Sequence, residues 1–331
     1  MWFRFMKGGR AVFRLRICMA AATAALGMTV SGCGDEKQIE REQAYRQTGL
    51  ERMDQGDYAG AVKAFDQALR ERVGIVSNLE EDINFYKAFA QIEAGKLSDA
   101  IATYSAILDY DKKNADAYYL RGCAYMSAGQ ADDAASDFQK AADYEKNNGQ
   151  MYAGIYEQLV LAGLLDDAAG YLEQGLKIKG DSASACLSRG RLYFVSGNYE
   201  KAESELNAAL DKKEVLANLY LGRVFQAQGK NEEAKSYYEA YLEENPNDSK
   251  VLYELGQIAF ENTDYEQAVS WFEEGMACKN VINKRELWSG KIAAMEYMGN
   301  FDSAKQEMEA YLESYPNDGA AQREYLFLKT R

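Results

Sequence analysis

From Glu42 onward, apolar residues recur every three to four positions, which is the period of amphipathic α-helices. Two such stretches fill the segment 116–144, and Gly129 separates them. Glycine readily takes the left-handed conformation that ends a helix. The pattern therefore predicts a helical hairpin, in which two short helices are joined by a tight turn.

The hairpin recurs along the chain, and its most regular mark is a glycine followed five residues later by an alanine. The pairs are Gly56/Ala61, Gly95/Ala100, Gly129/Ala134, Gly163/Ala168, Gly197/Ala202, Gly229/Ala234 and Gly299/Ala304, with Thr263/Ala268 in the remaining place. Successive alanines are 32 to 39 residues apart, and most steps are 34. A period this regular indicates one hairpin copied eight times.

Charge and cysteine usage exclude several classes of site. Of 38 basic residues five lie in 1–32, which leaves 33 against 52 acidic ones and a net charge of −19. So acidic a body repels phosphate backbones, which argues against nucleic acid as a partner. The chain has no histidine, and Cys123, Cys186 and Cys278 lie in three different repeats. We therefore expect no metal site and no cofactor.

The first 32 residues have the pattern of a secretory signal. Basic side chains precede an apolar run over 17–30, which is too short to cross a membrane as a helix. The run ends in Val30-Ser31-Gly32-Cys33, which resembles the lipobox of bacterial lipoproteins. That resemblance implies cleavage before Cys33, a lipid on its thiol, and stable anchoring by two or three acyl chains such as palmitate. The alternative is an ordinary secretory signal in which Cys33 has no special role.

Further positions recur within each hairpin. The first helix carries a glycine in five units, at Gly49, Gly122, Gly190, Gly222 and Gly256. The second helix carries the recurring alanine and a large residue four positions later, and Pro246 and Pro316 end two units. Over residues 42–318 this pattern resembles the tetratricopeptide repeat. The resemblance implies an all-α, right-handed superhelical solenoid of about eight repeats. The apolar residues Tyr325, Leu326 and Leu328 predict a C-terminal capping helix in 319–331, and the lipobox implies that 33–41 is a lipid-anchored linker.

In that family the first helices line a concave groove that holds a peptide or a partner helix. By position, the resemblance implies a groove lined by Phe85, Phe89, Tyr119, Met126, Leu187, Arg191, Phe194, Leu219, Arg223, Tyr253 and Phe260. Arg191 and Arg223 occupy the same place in adjacent repeats, so they can hold one carboxylate jointly. The alternatives are that the aromatic residues fill the interior and that the arginines pair with nearby Glu side chains.

The sequence predicts a binding protein and not an enzyme. It has no histidine, no Gly-rich phosphate loop, and no carboxylates paired in loops. We expect a membrane-anchored scaffold on the extracytoplasmic side of a bacterial cell, which binds a protein or peptide partner in envelope assembly or secretion. The alternative function is an accessory subunit of an envelope enzyme complex.

Overall fold

The computed structural model describes residues 33–71, 78–278, 281 and 283–331. In these ranges the chain consists of helices joined by short turns, without a β-strand. The helices are α1 (Cys33–Asp54), α2 (Tyr58–Arg70), α3 (Asn78–Glu93), α4 (Leu97–Tyr110), α5 (Ala115–Ser127), α6 (Ala131–Tyr144), α7 (Gly149–Leu161), α8 (Leu165–Lys177), α9 (Ala183–Val195), α10 (Tyr199–Leu210), α11 (Leu216–Ala227), α12 (Asn231–Glu244), α13 (Ser249–Glu261), α14 (Tyr265–Ala277), α15 (Lys284–Tyr297), α16 (Phe301–Ser314) and α17 (Gly319–Leu328). Repeat 1 is α1 with α2, repeat 8 is α15 with α16, and α17 follows. The predicted all-α fold of eight hairpins and a terminal helix is confirmed.

The N-terminal end differs from the prediction in one respect. The predicted signal segment 1–32 lies outside the described residues, and so does the side chain of Cys33. Residues 33–41, predicted as a linker, form the first part of α1. The segment 35–48 contains neither glycine nor proline and is rich in residues of high helix propensity, so the first repeat helix extends toward the N-terminus. None of the described helices is long and apolar enough to span a bilayer.

The turn inside each hairpin uses a backbone conformation that favours glycine. In seven of these turns a glycine has φ between +74° and +80°. In repeat 7 the same place is taken by Thr263 at φ +63°, although this region is strained for a β-branched residue. The recurring glycine of the sequence, with its one replacement, therefore marks the turn between the two helices.

The glycine of the first helix allows the two helices of a hairpin to approach closely. A methyl group on Gly222 would lie 2.5 Å from the ring of Tyr238, and one on Gly190 would lie 2.6 Å from Leu206. Contacts this short are repulsive, so a larger residue would push the two helices apart. The recurring glycine and the recurring large residue are therefore direct packing partners.

Contacts between residues divide the described part of the chain into two compact units, one that ends at Tyr171 and one that begins at Leu172. In unit one, Phe65 from α2 and Ile83 from α3 are fully buried in one core cluster. In repeat 3 the ring of Phe138 packs against Tyr119, with 6.0 Å between ring centres. The first cluster joins the second helix of one repeat to the first helix of the next, so stacking of repeats creates the core.

In unit two, the main core cluster runs through repeats 5, 6 and 7 and includes Leu206, Tyr238 and Leu255. A second cluster joins repeat 8 to α17, where Ala321 and Leu328 are buried. Helix α17 thus covers the last repeat, as expected of a capping helix. Its outer side still exposes Leu326 and Phe327.

Two nearly identical segments, 239–248 and 309–318, form the same junction between repeats. The hydroxyl of Tyr241 donates to Oδ2 of Asp248 at 3.2 Å, and that of Tyr311 donates to Oδ2 of Asp318 at 2.9 Å. Each aspartate also accepts hydrogen bonds from the backbone at the start of the next helix. At the second junction a hydrogen bond from Arg285 holds the pKa of Asp318 well below its usual range.

Candidate functional site

The predicted groove residues of unit two lie on the first helices of repeats 5, 6 and 7. Residues three or four apart share one face of a helix, and the predicted set follows that spacing. We call this set the first-helix face of unit two; its members are Leu187, Arg191 and Phe194 on α9, Leu219 and Arg223 on α11, and Tyr253 and Phe260 on α13.

The centre of this face is Tyr220, a buried residue that is not among the predicted groove residues. The guanidinium carbon of Arg191 lies 5.3 Å from the centre of the Tyr220 ring, and that of Arg223 lies 5.2 Å from it. A guanidinium group at this distance over a ring is attracted by the electrons of the ring. Two cationic groups from adjacent repeats therefore converge on one side chain. The three-residue spacing of Tyr220 and Arg223 on one helix would have identified it.

Phe194 extends the site toward the surface. Its ring meets Tyr220 nearly edge-on at 6.3 Å and packs against Tyr199 at 6.2 Å. Phe194 and Arg223 are half-buried, whereas Arg191 is only 7% exposed. Phe194 and Arg223 therefore offer surface to a ligand, and Arg191 supports them from the interior.

A polar chain runs beside Arg223 from repeat 6 to repeat 7. The hydroxyl of Tyr238 donates to Oε1 of Gln226 at 2.6 Å, and Nε2 of Gln226 donates to Oε2 of Glu254 at 2.9 Å. Burial and then the negative charge of Glu254 raise the pKa of Tyr238, while the charge of Arg223 opposes that rise. The site thus contains a carboxylate of its own, Glu254, and the charges of Glu254 and Arg223 act in opposite directions on the hydroxyl of Tyr238.

Three predicted groove residues belong instead to the core. Leu187, Leu219 and Tyr119 are almost completely buried. The two leucines pack in the core of repeats 5 to 7, and Tyr119 packs against Phe138. Their side chains present almost no surface to a ligand, so the predicted set includes residues of the core. Helical periodicity cannot separate the face toward a ligand from the face toward the next hairpin, because both recur every three to four residues.

In unit one the other predicted groove residues, Phe85, Phe89 and Met126, are half-buried. Phe85 packs against Tyr104 with 6.2 Å between ring centres, and Phe89 meets Tyr58 edge-on at 6.5 Å. Each of the two phenylalanines therefore combines a packed side with some exposed surface. Their part in partner binding stays a prediction.

The side chains of these faces are suited to non-covalent recognition. Within the described ranges, no three His, Cys, Asp or Glu side chains are grouped so as to hold a metal ion. Burial raises the pKa of the Cys123 thiol to about 12, which keeps it protonated at neutral pH and unreactive. Aromatic rings and guanidinium groups, by contrast, are the side chains that carry most of the affinity at protein interfaces.

Sequence profiles described as tetratricopeptide repeat match residues 52–124, 115–148, 159–218, 219–277 and 289–318. The chain belongs to the tetratricopeptide repeat family. No curated protein sequence matches the chain significantly. As repeats of this family form protein-binding surfaces, the chain is a scaffold for protein–protein interaction.

Solved structures with a similar fold include a tetratricopeptide repeat protein from Parabacteroides merdae. Its TM-score is 0.53 at 19% identity, over 80% of this chain and 100% of that chain. The APC/C hetero-tetramer Cut9–Hcn1 contains a chain with a TM-score of 0.53 at 17% identity, over 82% of this chain and 56% of that one. At these identities the likeness concerns the fold alone.

Proposed function

We propose that this tetratricopeptide repeat protein is a lipid-anchored scaffold, which holds a protein partner on the extracytoplasmic side of a bacterial membrane in envelope assembly or secretion. The apolar run 17–30 followed by Ser31-Gly32-Cys33 supports the anchor. Two or three acyl chains on Cys33 would hold the protein stably at a membrane, whereas one chain binds only marginally.

Partner binding is proposed for the part of the first-helix face of unit two that surrounds Tyr220. The observation that carries this proposal is the convergence of Arg191 and Arg223 on Tyr220, beside the half-buried Phe194. Arginine recognises a carboxylate through two parallel hydrogen bonds, and an aromatic ring supplies apolar contact area. We therefore expect the partner to present a carboxylate next to an apolar side chain, on an extended segment or a helix.

The anchor is tested by changing the acylated residue. In Cys33→Ala, metabolic labelling with a fatty-acid analogue should be lost and the uncleaved precursor should accumulate, because the lipid thioether precedes cleavage. The matched control is Cys278→Ala, which removes a thiol from the repeat region and should leave labelling intact. Normal labelling of Cys33→Ala would rule out the lipid anchor.

The binding face is tested with a partner captured by crosslinking on native membranes. Phe194→Ala and Arg223→Ala should each weaken binding by about 2 kcal/mol, or roughly thirtyfold, as expected for an interface anchor. Higher salt should reduce the contribution of Arg223 by screening its charge. The controls are Tyr144→Ala and Lys235→Ala, which remove an exposed ring and a partly exposed cation from second helices. If the folded variants all bind like the unchanged protein, the contact lies on another surface.

A further inference from the structure

Three aromatic rings form a cluster at the turn of repeat 7 and the end of α15. Phe260 lies near the end of α13, Tyr265 begins α14 and Tyr297 ends α15. Their ring centres are 5.1 to 5.3 Å apart, and Phe260 meets both tyrosines edge-on. Tyr297 is nevertheless 67% exposed. We call these three rings the aromatic edge cluster.

Acidic residues adjoin each ring of this cluster. The residues next to the three rings in sequence include Glu261, Asp264, Glu266 and Glu296. The segment 251–278 contains six acidic residues and no Lys or Arg. The segment that carries Phe260 and Tyr265 therefore contributes only negative charge beside the cluster.

The partners of Glu261 and Asp264 are neutral, so they do not cancel the charge of these two residues. Burial and the neighbouring Glu324 raise the pKa of Glu296 to about 7, so its charge contributes less at neutral pH. Oε2 of Glu261 accepts a hydrogen bond from Nδ2 of Asn231 at 3.0 Å, and Asp264 accepts one from the backbone N–H of Gln267 at 3.1 Å. Within the described part of the chain, no Lys or Arg forms an ion pair with Glu261, Asp264 or Glu266. The acidic charge beside the rings is thus available to an external cation.

The corresponding turns of the preceding repeats supply a cation of their own. In repeat 5, Nζ of Lys201 lies 5.3 Å from the centre of the Tyr193 ring, and in repeat 6, Nζ of Lys230 lies 5.2 Å from that of Phe225. The place of Lys230 is taken by Asp264 in repeat 7. Among the described residues, no Lys or Arg lies over a ring of the aromatic edge cluster. The turn of repeat 7 therefore carries acids beside the exposed ring of Tyr297, whereas the turns of the two preceding repeats hold a lysine.

We propose that the aromatic edge cluster and its carboxylates bind an Arg or Lys side chain from a basic segment of a partner protein. A cation over an aromatic ring is attracted by the ring, and arginine also stacks on its face. The net charge of −14 favours encounter with a basic segment over the whole surface. This inference does not rest on the carboxylate-binding site at Tyr220, where two arginines would repel such a segment.

The test measures binding of a fluorescein-labelled peptide of nine arginines to the full chain, by anisotropy at physiological salt. Tyr297→Leu removes the exposed ring but keeps an apolar side chain and the net charge. Its affinity should fall about threefold, as expected for loss of an exposed cation–π contact. Tyr144→Leu removes another exposed tyrosine, in unit one, and should bind like the unchanged protein.

A second pair of variants tests the carboxylate. Asp264→Lys places a cation where repeat 6 has one, so it should weaken peptide binding more than Asp132→Lys, which makes the same charge change at an exposed site of α6. This pair keeps the test decisive if Tyr297→Leu lowers the melting temperature. Equal affinities within both pairs would show that general acidity holds the peptide, and would overturn the proposal. A nine-citrulline peptide that binds as tightly as nine arginines would also overturn it.

Discussion

Repeats 3 and 6 form the same contact between their two helices with different side chains. The contact is made by the residue before the first-helix glycine and the residue sixteen places later in the chain, on the second helix. In repeat 3 these are Arg121 and Asp137, which form two hydrogen bonds, Nε to Oδ2 at 2.7 Å and Nη2 to Oδ1 at 2.8 Å. Asp137 is only 2% exposed. In repeat 6 the same two places hold Leu221 and Tyr237, which pack in one core cluster.

Repeats 5, 7 and 8 also place either an ion pair or an apolar pair at these two positions. Arg189 pairs with Glu205 in repeat 5, and Lys291 pairs with Glu307 in repeat 8, whereas repeat 7 has Leu255 and Trp271. A buried ion pair and a well-packed apolar pair often contribute similar stability, because desolvation of the charges offsets their attraction. The hairpin therefore fixes the place of the contact but not its chemistry, provided that both residues change together.

The largest expected effect comes from breaking the ion pair of repeat 3. In Asp137→Ala the free energy of unfolding should fall by about 3–5 kcal/mol, because a partly buried Arg121 loses its counter-charge. Leu221→Ala in repeat 6 should lower it by about 2–5 kcal/mol, through lost burial and a cavity. Urea unfolding measures both variants. Asp133→Ala, on the exposed side of the same helix, is the control and should change stability by at most about 0.5 kcal/mol. A similarly small loss for Asp137→Ala would contradict a structural role for the pair.

A smaller effect is expected when the ion pair of repeat 3 is replaced by the apolar pair of repeat 6. The double variant Arg121→Leu/Asp137→Tyr places the pair of repeat 6 into repeat 3, and its stability should lie within about 1 kcal/mol of the unchanged protein or above it. Because the two residues are coupled, the double variant should be more stable than the sum of the single changes predicts. A double variant as unstable as Asp137→Ala would mean that the two chemistries are not interchangeable.

The smallest expected effect is on the pH dependence of stability, to which an ion pair contributes and an apolar pair does not. Burial acts to raise the pKa of Glu307, but hydrogen bonds from Lys291 and Trp288 outweigh it and leave the pKa below its usual value. A lowered folded-state pKa gives stability that is present above the usual carboxyl pKa and is lost as pH falls below it. Between pH 5 and pH 3, the free energy of unfolding should therefore fall by about 0.5–1 kcal/mol less in Glu307→Gln than in the unchanged protein. Glu313→Gln on the same helix should leave that loss unchanged, and an identical acid profile for both variants would contradict the assignment.

Much of the fold could be predicted from the sequence because it depends on residues close together in the chain. The recurring turn glycine, as at Gly229, indicates a positive φ, and Thr263 takes the same conformation in repeat 7. The pairing of Gly222 with Tyr238 was visible as two recurring positions sixteen residues apart. The ion pairs have the same spacing with opposite charges, as in Arg121 and Asp137, and that signal is also present in the sequence.

The candidate site was less predictable because exposure depends on neighbouring repeats. Tyr119 and Tyr297 are both tyrosines of first helices, yet one is buried against Phe138 and the other is largely exposed. Helical spacing places a residue on a face, but the side chains of the adjacent helices decide whether that face is covered. For the same reason the sequence paired Arg191 with Arg223 but did not identify Tyr220 between them.

The sequence by itself determined the hairpin, its turn, its number of copies and the helix that closes the array, because these depend on backbone conformation and short-range packing that recur in every repeat. Only the tertiary structure decided which side chains meet across repeats. The convergence of two arginines on Tyr220 and the exposed aromatic edge cluster are such contacts. They depend on how one hairpin stacks on the next, and that stacking brings together residues about thirty positions apart in the chain.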